Sequence, residues 1–165
     1  MKKNDIVNIY ITGYTHEGLG VGRVDGFVLF VPQAAVGDRL SCRVVKVLSS
    51  HGYAKIEGVL TPSPDRALPG CPVYERCGGC CYRHISYESE LHAKGQQVAS
   101  ALRKGLGREV PCAPCVPSPD ILRYRNKALI PFGPGGYGFY RPHSHDIIPA
   151  ADCPIQSEAA GAAAG

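Results

Sequence analysis

Three thiols crowd into ten residues at Cys71-Pro-Val-Tyr-Glu-Arg-Cys77-Gly-Gly-Cys80, and a fourth stands far downstream in Asp152-Cys153-Pro154. Several sulfurs can therefore converge on one point. Gly78 and Gly79 let the backbone turn tightly and approach a bulky inorganic centre with no side chain in the way. Short cysteine spacings plus one remote cysteine are a habit of iron–sulfur proteins, where four thiolates hold a cubane. A metal or cluster site on Cys71, Cys77, Cys80 and Cys153 is the first expectation. Soft sulfur suits it, and Tyr74, Tyr82 and Ile155 are candidates for its apolar shell. Cys81, directly after Cys80, is assigned to packing, because adjacent ligands rarely point the same way.

A rival set exists. Cys77-x2-Cys80 paired with Cys112-x2-Cys115 has the spacing of a zinc ribbon, and spacing alone leaves the two sets open. Cys112-Ala-Pro-Cys115 also resembles a redox pair, but no thioredoxin-like βαβ pattern surrounds it. Otherwise these two are incidental loop thiols. Cys42, inside a strand pattern, reads as a small core hydrophobe. Met1-Lys2-Lys3 is followed by Asn4, Asp5, Asn8 and Thr12, so no signal peptide is read. A cytoplasmic location with reduced cysteines is expected, which favours metal binding over disulfides. No apolar run approaches a membrane span, so no membrane partner is expected.

With 165 residues the chain holds one ordinary domain or two small ones. Residues 6–60 read as four or five short strands. Val7, Ile9 and Ile11 alternate with polar residues, Gly26–Pro32 is a continuous apolar run, and Leu40–Leu48 and Tyr53–Gly58 alternate again. That density predicts a small closed barrel of OB-like type, a fold that removes sheet edges and binds single-stranded nucleic acid. Thr61-Pro-Ser-Pro-Asp65 reads as a stiff linker. Ser86 caps a predicted helix to about Lys104, with Tyr87, Leu91, Val98 and Leu102 on one face and Gly105 or Gly107 as its stop. Leu122–Pro131 and Gly136–Ile148 read as two strands of a hairpin turning at Gly133–Gly136. The tail Glu158–Gly165 shows neither a helix cap nor a turn.

Other motifs carry less. Gly133-x-Gly135-x-x-Gly138 matches a dinucleotide fingerprint formally, but Phe139-Tyr-Arg-Pro142 follows where a helix is required, so these are turn glycines. His143, His145 and Asp146 are assigned a structural turn. No Walker loop, Ser-His-Asp set or carboxylate pair stands out. The formal charge of +4 permits RNA binding without demanding it. Lys2, Lys3, Arg23, Arg39, Arg43, Lys46 and Lys55 are diluted by Asp5, Glu17, Asp25, Asp38 and Glu57. Arg123, Tyr124, Arg125 and Lys127 are denser, with an aromatic to stack on a base.

Together these residues resemble the iron–sulfur region of bacterial RNA uracil-5-methyltransferases. The resemblance runs from Cys71-x5-Cys77-Gly-Gly-Cys80 through His84-Ile-Ser-Tyr87 and Gln96-Gln97-Val98. It continues through Tyr124-Arg-Asn-Lys127, Gly138-Phe-Tyr-Arg141 and Ser144-His-Asp-Ile147 to Asp152-Cys153-Pro-Ile-Gln156. Ahead of it, Gly13-x4-Gly18-x-Gly20-Val-Gly-Arg23, Phe30-Val-Pro32 and Gly37-Asp38 are similar to a TRAM domain. The resemblance implies a [4Fe–4S] cluster on Cys71, Cys77, Cys80 and Cys153, with a structural, RNA-positioning role, and gives Cys112 and Cys115 no partners. It implies a monomeric RNA-binding part of an enzyme acting on ribosomal (23S) RNA, contacted by Arg23, Lys46, Arg123, Tyr124, Arg125 and Lys127. Family members continue into a doubly wound methyltransferase domain that binds S-adenosylmethionine and supplies the catalytic cysteine. None of that maps onto residues 1–165, so no catalytic residue is assigned and the stretch is expected to be inactive alone.

The expected architecture is therefore mainly β with some α. A TRAM barrel spans 1–60, an α+β cluster domain spans 61–156, and 157–165 starts a linker. The alternative is a stand-alone RNA-binding module with a structural zinc ribbon. An electron-transfer iron–sulfur protein is a third reading, for which a TRAM-like barrel has no evident use.

Overall fold

Alternation of apolar and polar residues drives the first five strands: β1 (Ile6–Tyr14), β2 (Gly20–Val24), β3 (Phe27–Val31), β4 (Arg39–Val47) and β5 (His51–Thr61). They close into a barrel in the order β1-β2-β3-β5-β4, antiparallel except for the parallel pair β3–β5. The structure, a computed structural model, describes residues 1–150 and 152–164. Ala151, inside the expected 61–156 domain, and Gly165, at the end of the 157–165 segment, lie outside the described residues.

Every second side chain points inward, so Ile9, Ile11, Leu29, Val31, Leu40, Cys42, Val44 and Ala54 form one buried core. Each large aliphatic among them is worth about 1.5–3 kcal/mol of burial. Cys42 is the small hydrophobe expected, its thiol pushed up to about 11, first by burial and then by Asp38 and Glu57. Register shifts in β1–β2 and β4–β5 supply the bends that closure requires. Strand β2 was not singled out by sequence, because its inward positions are Gly20 and Gly22. A Cβ on Gly22 would meet the Tyr10 carbonyl at 2.5 Å.

The chain forms two compact units, and they cut across the expected 61–156 domain. One comprises Met1–Leu68 with His84–Val116; the other comprises Pro69–Arg83 with the chain from Pro117 onward. The reason is polar. Asp38 is fully buried, and its carboxylate gathers the segment expected to be a free linker. Oδ1 accepts from the Ser63 N–H (2.9 Å) and Arg66 Nε (2.8 Å); Oδ2 accepts from the Ala35 N–H (2.6 Å) and Arg66 Nη2 (2.8 Å). Gly37, at φ 93°, lets Ser63 approach: a Cβ there would lie 3.2 Å from the Ser63 hydroxyl. The chain then returns, with Ala67 N–H donating to His84 O and Ser86 N–H to Asp65 O.

That return carries α1 (Tyr87–Leu106) into the barrel's unit. As expected, the Ser86 hydroxyl caps its start by accepting from the Ser89 N–H, and Gly107, left-handed at φ 66°, ends it. Its expected apolar face is only partly covered: Tyr87 and Leu91 are half-buried and Val98 and Leu102 exposed, while the buried residue of α1 is Ala93. No described helix is long and apolar enough to cross a membrane.

His84 is buried, with Nε2 donating to the Ala34 carbonyl (3.2 Å). Burial pushes its imidazole below the ordinary value, and Arg66 adds to this; the Ala34 bond and Asp38 oppose it. Above pH ~6.5 the ring is neutral in folded and unfolded chains alike, and the contribution is complete. As pH falls through that value the unfolded chain takes up the proton first, so stability drops until the folded-state value is passed. The thermal midpoint should therefore decline on acidification below pH ~6.5, and His84→Gln should flatten that decline.

In the second unit, β6 (Phe132–Gly133), β7 (Gly136–Tyr140) and β8 (Ile147–Pro149) form an antiparallel sheet in that order. The turn at Gly133–Gly136 is as expected, but the flanking strands are not. Residues 122–131 form no regular strand. Arg123 has φ 55°, Pro131 cannot donate to a ladder, and the one strand pairing among the described residues is a parallel bridge, Arg125 to Gln156. The expected strand 136–148 is split by Pro142 and by His143 at φ 58°, where the Ser144 hydroxyl accepts from the Asp146 N–H (2.9 Å). His143, His145 and Asp146 thus belong to a turn. The tail is helical: α2 (Glu158–Ala164) follows Ser157, whose hydroxyl accepts from the Ala160 N–H.

Candidate metal centre and nucleic-acid interface

Two sites emerge, one in each unit. In the second, the chain from Cys71 winds into a single turn, with Tyr74 N–H donating to Cys71 O and Cys77 N–H to Val73 O (2.8 Å). This brings Cys71 and Cys77 round to one side. Gly78 then anchors the loop to the end of β7 by donating to the Tyr140 carbonyl (3.0 Å), where a Cβ would lie 3.0 Å from the same oxygen. The Gly79 N–H points back at Cys77 Sγ (3.4 Å).

Cys153 reaches the same place from the other end of the unit. Its carbonyl accepts from the Gln156 N–H (3.1 Å) and from Arg123 Nη1 (3.2 Å), while Arg123 Nη2 pairs with Asp152 (2.7 Å). Cys71, Cys77, Cys80 and Cys153 then line one cavity, walled by apolar groups that include Tyr74, Phe139 and Ile155. Tyr82, expected in this shell, is buried but does not line it.

Burial, and after it Cys153 and Cys77, push the Cys80 thiol up to about 11 against the opposing Arg125 and Arg83. Burial likewise raises Cys77, against the Gly79 amide. These are thiols at neutral pH, and an occupant must displace their protons. Among the described residues no group of three or more His, Cys, Asp or Glu is placed to hold a metal ion.

The other cysteines separate from this set. Cys81 is exposed, which corrects the packing role expected for it; its carbonyl accepts from the Tyr74 hydroxyl. Cys112 and Cys115 are exposed in a loop of the other unit.

The expected RNA contacts divide. Arg123 is committed to Asp152 and Cys153 and sits on no strand, and Arg125 lines the thiol cavity. Tyr124 and Lys127 are exposed beside them. On the barrel, Arg23 donates to the Gly26 carbonyl (3.2 Å) and Lys46 is exposed opposite Tyr53.

That pairing leads to a feature missed in the sequence. Phe30 on β3 and His51 and Tyr53 on β5 point outward as a cluster, with ring centroids 5.1 Å (Phe30–His51), 5.6 Å (Phe30–Tyr53) and 5.6 Å (His51–Tyr53) apart. Half-exposed rings beside Lys46 make a surface on which bases can stack and a cation can meet phosphate. The i, i+2 spacing of His51 and Tyr53 signalled a shared face, but only the parallel β3–β5 register adds Phe30.

Residues 2–57 match the TRAM domain family. An uncharacterised RNA methyltransferase of Halalkalibacterium halodurans is 42% identical over 96% of this chain and 36% of its own length. Another from Clostridium tetani is 37% identical over 97% of this chain and 36% of its own. The crystal structure of Pyrococcus abyssi tRNA (uracil-54, C5)-methyltransferase with S-adenosyl-L-homocysteine superposes with a TM-score of 0.63. It is 25% identical and is matched over 94% of this chain and 34% of that one. The chain thus spans about a third of the length of these relatives. It carries a TRAM domain and, over nearly its whole length, is similar to part of proteins named RNA methyltransferases, with a tRNA uracil-5-methyltransferase as a structural neighbour.

Proposed function

We propose that this chain is the RNA-engaging part of an S-adenosylmethionine-dependent RNA uracil-C5 methyltransferase, and that Cys71, Cys77, Cys80 and Cys153 hold a [4Fe–4S] cluster. One observation carries the cluster: four thiols, the last 73 residues after Cys80, line a single apolar cavity. The donor set is all sulfur, which suits an iron–sulfur centre. The centre's part is to hold the 71–80 loop, β7 and the Cys153 turn together, since methyl transfer requires no electron. No residue of this chain is assigned to the methyl-transfer step.

Anaerobic purification with iron, sulfide and zinc analysis tests the ligand set. A broad absorbance near ~400 nm and about four irons per chain are expected, both lost in Cys153→Ser. A colourless protein with one zinc that survives Cys153→Ser and is lost in Cys112→Ser would establish the zinc-ribbon alternative.

RNA is engaged by the barrel face bearing Phe30, His51 and Tyr53, with Lys46 and Arg23 at its border. Base–aromatic stacking is worth about 1–3 kcal/mol per base. Phe30→Ala or Tyr53→Ala should therefore weaken single-stranded RNA binding about ten-fold while leaving its salt dependence unchanged. Lys46→Ala should instead reduce the slope of log K against log salt by about 0.7–0.9. The pairing of TRAM and cluster signatures favours ribosomal RNA as the target. The P. abyssi neighbour is described as acting on tRNA uracil-54, so preferential binding of transfer RNA over 23S fragments is the result that would replace this assignment.

A further inference from the structure

The cavity lined by four thiols is also lined by two guanidinium groups. Arg83 is already engaged: Nε and Nη2 both donate to the Pro69 carbonyl, at 3.1 and 2.8 Å. Arg125 is different. It is half-buried, and among the described residues its guanidinium has no acceptor. Its direction is not left to chance. The Arg125 N–H donates to Ile155 O (2.9 Å) and its carbonyl accepts from the Ser157 N–H (2.8 Å), so the backbone is clamped on both sides to the segment following Cys153.

A half-buried cation turned to a largely apolar cavity is costly unless an anion shares the space. No carboxylate lines the cavity to supply one. Ligation changes that, because four thiolates bring four negative charges and a [4Fe–4S] core in its oxidised form carries only two positive ones. A net charge of about −2 then lies in the cavity, with Arg125 facing it.

We propose that Arg125 is the internal counter-charge of the thiolate-bound centre, a positioning residue that offsets its negative charge and donates toward its sulfurs, and not a contact to RNA phosphate. This rests on the cluster reading above. It also reassigns the basic 123–127 segment, since Arg123 holds the Cys153 carbonyl and Arg125 faces the thiols.

The test uses the anaerobically purified chain with Arg125→Gln and Arg125→Lys. Three quantities are read: the midpoint potential of the centre, the rate at which chelator bleaches its absorbance, and the salt slope of RNA binding. Removing the charge penalises the more negative reduced state, so Arg125→Gln should lower the potential and bleach several-fold faster. Arg125→Lys should fall between it and the wild type, and it serves if the Gln variant does not accumulate. The salt slope should not move. A potential and bleaching rate equal to wild type in both variants would overturn the proposal. A slope reduced by about one phosphate with an unaltered centre would return Arg125 to the RNA. Wild-type chain without iron would instead sink the cluster reading itself, a result separate from either.

Discussion

Asp38→Ala should destabilise the barrel's unit by about 3–5 kcal/mol, the usual cost of removing one partner from a buried ion pair. The carboxylate has 0% exposure, its partner Arg66 24%, and every oxygen is used: two backbone N–H groups and two guanidinium nitrogens converge on it. Truncation leaves the Ser63 and Ala35 N–H groups and Arg66 Nε without this acceptor, while Arg66 Nη2 keeps only the Gln33 carbonyl (3.2 Å), and unpaired buried donors cost more than a made hydrogen bond gains. For a unit of this size each kcal/mol moves the midpoint by about 4–8 °C, so thermal unfolding should shift down by well over 10 °C. Ser63→Ala is the internal control. Ser63 contributes its backbone N–H, which alanine keeps, and loses only a hydroxyl accepting from Asp65. A small shift for Asp38→Ala would mean that the 61–67 segment is held by something other than this carboxylate.

The same carboxylate explains what was and was not legible in the sequence. The barrel strands could be read because burial repeats every second residue, a local signal. The ends of α1 could be read because Ser86 and Gly107 act on backbone groups within a turn of themselves. The division of the chain could not, because Asp38–Arg66 and Ala34–His84 join residues 28 and 50 positions apart. Nothing near Thr61–Asp65 announces that its proline-rich run is tied down. The hairpin was half legible: Gly133–Gly136 marks its turn, yet the apolar residues before it imitate a strand that the positive φ of Arg123 and the ring of Pro131 forbid.

The candidate sites divide along the same line. Spacing alone left Cys71, Cys77, Cys80 and Cys153 open against a set with Cys112 and Cys115, the family resemblance chose the first, and the fold lines one cavity with it. The direction of Arg125 was not legible. In sequence it is one cation in a basic run with Arg123 and Lys127, and only its backbone pairing with Ile155 and Ser157 turns it from solvent toward the cavity. Phe30, His51 and Tyr53 show the reverse case: each is unremarkable in its own strand, and a parallel register across twenty residues makes them one surface.

Gly138→Ala should do to the second unit what Asp38→Ala does to the first, by steric means. Gly138 lies opposite Pro149 in the β7–β8 pair, and a Cβ there would run into the Ile148 carbonyl, with the Ile148 carbonyl carbon at 2.7 Å and Pro149 Cα at 2.9 Å. All three obstacles are backbone, so no rotamer change relieves them and the strands must part. The expected loss is on the order of 2 kcal/mol or more, at or above the usual cost of overpacking. The consequence for the thiol site follows from what β7 carries. Tyr140 accepts the Gly78 N–H that anchors the 71–80 loop, and Phe139 walls the cavity. Opening β7 from β8 therefore loosens the wall and the anchor together, and metal content per chain should fall below wild type even where the protein remains folded. Gly135→Ala is the matched control, since a Cβ at Gly135 meets nothing within 4 Å. Equal metal content in both variants would show that the 71–80 loop is held without β7, and would shift the positioning of Cys71, Cys77 and Cys80 onto the turn from Cys71 to Cys77 alone.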